Sequence, residues 1–265
     1  MIFRLGDELI DTGACRTVVD IDSSPFPDRD LFDTEKYNDW VGLSVGKRIY
    51  YMIGARGCPH SCRFCTDPFN VYRQRSPANV MSELQQLGKY KPDIVVFVDD
   101  QFFAGRSWAL ELLNLIGDAQ LPMRLVLQTR VDSVDTETVK ACKRAGVGLI
   151  QIGIDSGNQQ IIDYYRKGFS LSQARSAVKL IDRYGIYSLG FLIIGAPMER
   201  EEHINDTLKF VTSIPLDFIA ISPLAYRYPS PLWKDLVKKG LVGDDEMGVL
   251  AGERTGSYPS HELGR

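Results

Sequence analysis

Residues 124–154 read RLVLQTRVDSVDTETVKACKRAGVGLIQIGI, and this stretch decides the fold. Arg124–Leu127 is a short apolar run. Thr136–Ala145 then carries apolar side chains at helical spacing and stops at Gly146, and Leu149–Ile154 is a second apolar run. Two buried strands joined by one amphipathic helix make a βα unit, because parallel strands need a crossover of that length.

The same alternation recurs outward in both directions. Further strands are expected at Ile49–Ile53, Ile94–Val98, Ser188–Ile194 and Phe218–Ile221. All six runs are too apolar for one-sided burial, which places them inside a covered sheet. Helices are expected at Pro77–Leu87, Trp108–Ile116, Leu171–Tyr184 before Gly185, and Glu201–Ser213, with a short last one reaching Lys239 and Gly240. The expected fold is therefore α/β, a partial TIM-type (βα)6 barrel. Right-handed crossovers put every strand's C-terminal end on one rim, where barrels carry their chemistry.

Residues 1–45 are rich in Asp and Pro and hold no sustained period, so they read as a wrapping or linker-like segment before a core at 46–240. Residues 241–265 read as a tail, either complete or cut short. The 265 residues are 44% hydrophobic and 25% charged, enough for one core. A net charge of −3 supplies no general field for nucleic acid. No basic-plus-apolar leader opens the sequence and no apolar run spans a bilayer, which points to a cytoplasmic protein without a membrane span.

Three of the five cysteines crowd into Cys58-Pro-His-Ser-Cys62-Arg-Phe-Cys65, in the loop expected after the first barrel strand. That spacing suits a metal centre rather than a disulfide framework, in a reducing compartment. Closely spaced thiolates favour an iron–sulfur cluster or zinc. A [4Fe–4S] cluster normally takes four cysteines, so three leave one iron open to an outside ligand. The alternative is a structural zinc completed by His60, Cys15 or Cys142. His60, however, is awkwardly placed inside the loop, and Cys142 falls in an expected helix, where a cysteine is usually a small hydrophobe.

Cys-x-x-x-Cys-x-x-Cys after the first strand, with an aromatic residue before the last cysteine, resembles the radical S-adenosylmethionine (SAM) superfamily. The strings Arg56-Gly-Cys-Pro59 and Cys62-Arg-Phe-Cys65 resemble the branch often fused to a cobalamin (B12)-binding domain. Val98-Asp-Asp-Gln-Phe102, Gln128-Thr-Arg130-Val-Asp132, Gly153-Ile-Asp-Ser-Gly157, Ile193-Ile-Gly-Ala-Pro-Met-Glu199 and Pro229-Ser-Pro-Leu-Trp233 extend the likeness over 49–240.

The resemblance implies that Cys58, Cys62 and Cys65 hold a [4Fe–4S] cluster. SAM binds its open iron, and one electron cleaves a carbon–sulfur bond to start radical chemistry on an unknown substrate, methyl transfer among the options. By the same resemblance Phe64 lies against the adenine, and Asp99, Asp100 and Gln101 meet the amino end of SAM unless they merely cap a helix. Arg130 meets a carboxylate unless it is a surface ion pair with Asp132. Asp155 and Ser156 stand at the ribose- or carboxylate-contacting position, where Asp replaces the commoner Glu. Gly195 admits a flat adenine. Glu199, Lys167, Arg73 and Arg75 also match family positions; the first is read as complementing a helix dipole and the others as solvated surface.

The partners implied are SAM, the substrate, and an electron donor such as a flavodoxin or ferredoxin. An Asp-x-His-x-x-Gly cobalt-ligating motif does not occur: His60, His203 and His261 all lack the Asp. Cobalamin would then have to come from another chain, and the sequence reads as a fragment or as a member without that module. Competing functions are a non-catalytic iron–sulfur or zinc protein, an inactive fragment, and a methylthiotransferase, whose additional cysteine-rich and RNA-binding modules have no counterpart here.

Overall fold

The computed structural model describes residues 2–6, 8–13, 20–33, 36, 39–40, 43–44, 48–66 and 71–240. Cys15, His261 and the expected tail at 241–265 lie outside the described residues. Two small antiparallel pairs come first, β1 (Ile2–Leu5) with β2 (Glu8–Asp11) and β3 (Asp39–Trp40) with β4 (Leu43–Ser44).

The six expected strands form one parallel sheet. They are β5 (Ile49–Met52), β8 (Ile94–Phe97), β9 (Arg124–Arg130), β10 (Val147–Asp155), β11 (Tyr187–Ile194) and β12 (Phe218–Pro223), in the order β12-β11-β10-β9-β8-β5. Sequential neighbours and uniform direction give a half-barrel open between β5 and β12. Between β5 and β8 a short antiparallel pair, β6 (Ala55–Arg56) with β7 (Arg73–Gln74), closes a loop.

Helices α1 (Pro77–Leu87), α2 (Arg106–Ala119), α3 (Thr136–Arg144), α5 (Leu171–Arg183) and α6 (Glu201–Thr212) supply the outer layer. Their starts are written in the sequence: Ser76 accepts from the Asn79 N–H ahead of Pro77, Asp135 and Thr138 form a capping box, and Ser170 does the same with Gln173. Their apolar faces meet the outer face of the sheet in one large core that includes Leu84, Leu112, Leu125, Ile152 and Val178. Burying each such side chain contributes roughly 2 kcal/mol. The inner face carries a smaller cluster, Ile49, Val96, Val126, Leu149 and Leu189.

Three expectations are corrected. β9 runs on to Arg130, which ends the strand rather than following it. β12 is an edge strand with Phe218, Ile219 and Ile221 exposed, so its apolar run does not mark two-sided burial. A helix not expected from the sequence, α4 (Gln159–Tyr164), follows β10, capped by Asn158. Helix α7 (Pro231–Lys238) then packs with α4 in a second core holding Tyr165, Tyr226, Leu232 and Trp233.

Candidate functional site

The stems of the cysteine loop are fixed before the thiols are reached. β6 and β7 bring the two ends together, with Cys58, Cys62 and Cys65 between them. Gly57 has φ +82°, and a Cβ there would stand 2.8 Å from the Val71 carbonyl oxygen, so glycine is required. Beneath the first stem, the Asp99 carboxylate accepts from the backbone N–H of Gly54 at 3.0 Å and from that of Ala55. Beside the second, Arg75 donates to the Ile53 carbonyl at 2.8 Å and pairs with Glu83 at 2.5 Å. At 9% exposure, Arg75 is no solvated surface residue.

Within the loop, Arg63 is the tie to the rest of the fold. Its N–H donates to the Tyr165 carbonyl at 3.0 Å, and its carbonyl accepts from the Leu232 N–H at 2.8 Å. Its guanidinium pairs with Asp235 at 2.6 Å and lies 4.3 Å from the Tyr164 ring centroid. Phe64 packs edge-on against Tyr165, 5.1 Å between centroids. The loop therefore rests on the end of α4 and on α7.

Arg130 faces it from β9. Only 8% exposed, it pairs with Asp132 at 2.8 Å, donates to the Lys167 carbonyl, and brings Nη1 to 3.5 Å from Cys62 Sγ. Ion pair and site contact, alternatives in the sequence, coexist here, with Arg130 buried and Asp132 exposed. Burial opposes charge on both partners, yet their mutual contact prevails: Arg130 is pushed up and Asp132 held down.

Lys167, read as solvated, is 5% exposed. Its Nζ lies 2.5 Å from Asp155 Oδ2 in an ion pair, and 5.8 Å from the Phe64 ring centroid. Asp155 sits at φ +64°, where the strand bulges after Gly153, a backbone state costing about 1 kcal/mol outside glycine. Ser156 is directed elsewhere: its hydroxyl lies 3.1 Å from that of Thr207 on α6 and accepts from the Asn158 N–H.

Capping does not explain Asp99, Asp100 and Gln101. The residue that starts α2 is Gly105, with no side-chain cap. Asp99 braces the loop stem, Asp100 is exposed near Cys58, and Gln101 donates to Ser133 Oγ at 2.8 Å. At the far end of the rim Gly195 has φ +98°, and its N–H and that of Ala196 donate to Glu199 Oε2 at 2.5 and 3.3 Å. Glu199 is buried outside α6 and holds this turn, which replaces the dipole reading.

Burial pushes the Cys58 thiol up, and the neighbouring Cys62, Cys65 and Asp100 add to it. Burial and Arg130 lower the His60 imidazole. The Asp99 carboxyl is raised by burial to about 7 against the pull of its two N–H donors, and burial takes Cys142, inside α3, to about 12.

The donor set can be tested against the two metal readings. Among the described residues no three Cys, His, Asp or Glu side chains converge as one mononuclear ion requires. Three cysteines on one loop match the donor set of a cluster that leaves one iron open. Two buried polar atoms of the surrounding wall, Gln101 Oε1 and the Tyr165 hydroxyl, have no partner among the described residues.

Sequence reasoning missed Lys167, Arg75, Arg63 and Tyr165 as parts of this site. Lys167 and Arg75 match family positions but read as solvated surface, and nothing marks Arg63 or Tyr165. The partners of Arg63 are distant in sequence, and only the fold supplies them.

The radical SAM superfamily matches residues 52–211. An uncharacterized methyltransferase of Pyrococcus horikoshii is 29% identical over 231 residues, 85% of this chain and 49% of that protein. An anaerobic magnesium-protoporphyrin IX monomethyl ester cyclase of Cereibacter sphaeroides is 26% identical over 79% of this chain and 35% of its own length. The chain thus spans half or less of these relatives. Among solved structures, the radical SAM methyltransferase TsrM from Kitasatospora setae, with tryptophan and a SAM analog bound, aligns at TM-score 0.69 and 19% identity over 78% of this chain and 40% of that one. The cobalamin-dependent radical SAM enzyme OxsB aligns at TM-score 0.64 and 18% identity over 74% and 37%. Both share the fold.

Proposed function

This chain belongs to the radical SAM superfamily, whose chemistry runs on a [4Fe–4S] cluster and SAM, and from that premise we propose that Cys58, Cys62 and Cys65 hold the cluster for a radical methyl-transfer enzyme. The observation that carries the reading is the loop itself: three thiols on the strand-end rim, pinned at both stems, with the Arg130 guanidinium 3.5 Å from Cys62.

When bound, the cluster supplies the electron that cleaves a carbon–sulfur bond of SAM. The chain's own residues position and enclose. Phe64 offers an apolar face to the adenine, and the Gly195 turn, held by Glu199, lets the backbone come close. Asp99, Asp100 and Gln101 receive the amino end. Arg130, whose Nε and Nη2 are engaged by Asp132, turns its remaining Nη1 edge toward the carboxylate. Asp155, held by Lys167, meets the ribose, while Ser156 fastens the turn behind it to Thr207.

Methyl transfer is supported by the likeness to the uncharacterized methyltransferase of Pyrococcus horikoshii. Cobalamin, where used, is held outside these residues, and a flavodoxin or ferredoxin supplies the electron. Anaerobic reconstitution tests the ligand set. Wild type should take up about four irons per chain, and Cys58→Ala, Cys62→Ala and Cys65→Ala far fewer while remaining folded, since the thiols lie on a loop. Unchanged iron in all three variants would overturn the assignment.

A further inference from the structure

Midway down the inner face of the half-barrel, two neutral amides stand side by side. Gln128 on β9 and Gln151 on β10 are direct neighbours in the parallel register. They share a face with Val126 and Leu149, the apolar layer below, and with Arg130 and Gly153, the layer above. Gln151 is only 9% exposed and Gln128 is half-buried, yet neither carboxamide is hydrogen-bonded to another described residue. Neither carboxamide end is among the fully buried polar atoms, so both amides reach into the open lumen with their hydrogen-bonding capacity free for a ligand. Two together, on the wall of an open lumen, form a recognition surface.

What they recognise follows from their neighbours. Val96, Val126 and Leu149 are apolar, Leu189 on β11 stands level with Gln151, and half-buried Phe191 lies one layer above, beside Gly153. The ions nearest above are already matched, Arg130 with Asp132 and Lys167 with Asp155. An anion or cation entering here would lose its water and find no free counter-ion, whereas a neutral group loses far less. Each carboxamide offers one acceptor and two donors in a plane, the complement of another planar amide edge. Two residues along a strand place the pair roughly 7 Å below Arg130, one layer beneath the cysteine loop.

We propose that Gln128 and Gln151 form the substrate-orienting platform of this site, and that the substrate is an uncharged, largely apolar molecule presenting one amide- or lactam-like edge. The inference rests on the radical SAM reading of the rim above. It assigns the pair to substrate rather than to SAM.

Three probes of one shape test it: benzamide, benzoate and benzamidinium, measured by anaerobic equilibrium dialysis on the cluster-loaded full chain with SAM present. Benzamide should bind saturably and at least about tenfold more tightly than either ion, and Gln128→Leu or Gln151→Leu should weaken it about tenfold. Iron content and SAM affinity should be unchanged in both variants. Gln151→Glu should transfer the preference to benzamidinium, which keeps the test decisive should a leucine variant fold poorly. Equal binding of the three probes, or benzamide binding indifferent to the substitutions, would overturn the proposal. So would loss of SAM affinity in the variants, which would assign the amides to the cofactor. Failure of the wild-type chain to take up iron would instead sink the cluster assignment, and the probe preference can still be read on that protein.

Discussion

Truncating Arg130 to alanine removes three contacts together: the fork on Asp132, the bond to the Lys167 carbonyl and the approach to Cys62. Iron should still be taken up, because Arg130 is no thiolate, while SAM affinity falls by about tenfold or more, as expected for a charge-assisted pair. Unaltered SAM affinity would leave Arg130 as a structural partner of Asp132. Asp99 makes a different kind of prediction. Its carboxyl titrates near 7 in the fold against 3.8 in an open chain, because burial disfavours the charge. Between those values the folded state keeps a proton that the unfolded state has lost, so stability falls as pH rises through that window. Urea midpoints should decline from pH 5 to pH 8, and Asp99→Asn should flatten that slope. A variant with the wild-type slope would place the titration elsewhere. Residue types alone did not announce this site. Lysine and arginine usually face water, and that expectation failed at Lys167 and Arg75, whose burial depends on Asp155 and Glu83.

At the scale of elements, the cysteine loop is only as firm as the pieces it leans on. The Arg63–Asp235 pair is partly exposed, so removing it with Asp235→Ala should cost less than about 1 kcal/mol of global stability. Its effect should appear locally, as severalfold faster loss of iron to a chelator, because α7 would no longer hold the loop from that side. Iron release at the wild-type rate would show that the backbone contacts to Tyr165 and Leu232 suffice. These elements were unevenly legible. Helix α1 matches its expected bounds, since Ser76 and Pro77 mark its start chemically. The six residues of α4 are too few for a period to show, although that helix end seats Phe64. β12 reads as a buried run because its residues are apolar, and only its place at the sheet edge reveals the exposure.

For the whole molecule, the βα alternation carried the architecture: six parallel strands in sequential order, with the cysteine loop after the first. No described helix is long and apolar enough to cross a membrane. The inner face was not legible as a site, because Gln128 and Gln151 become neighbours only through strand register. The central claim is that three thiols on the rim hold a cluster with one iron left for SAM. It is tested most directly by electron paramagnetic resonance of the anaerobically reconstituted, dithionite-reduced protein, recorded with and without SAM. The account predicts a reduced [4Fe–4S] signal whose shape changes when SAM is added. A cluster signal indifferent to SAM, or no cluster at all, would contradict it.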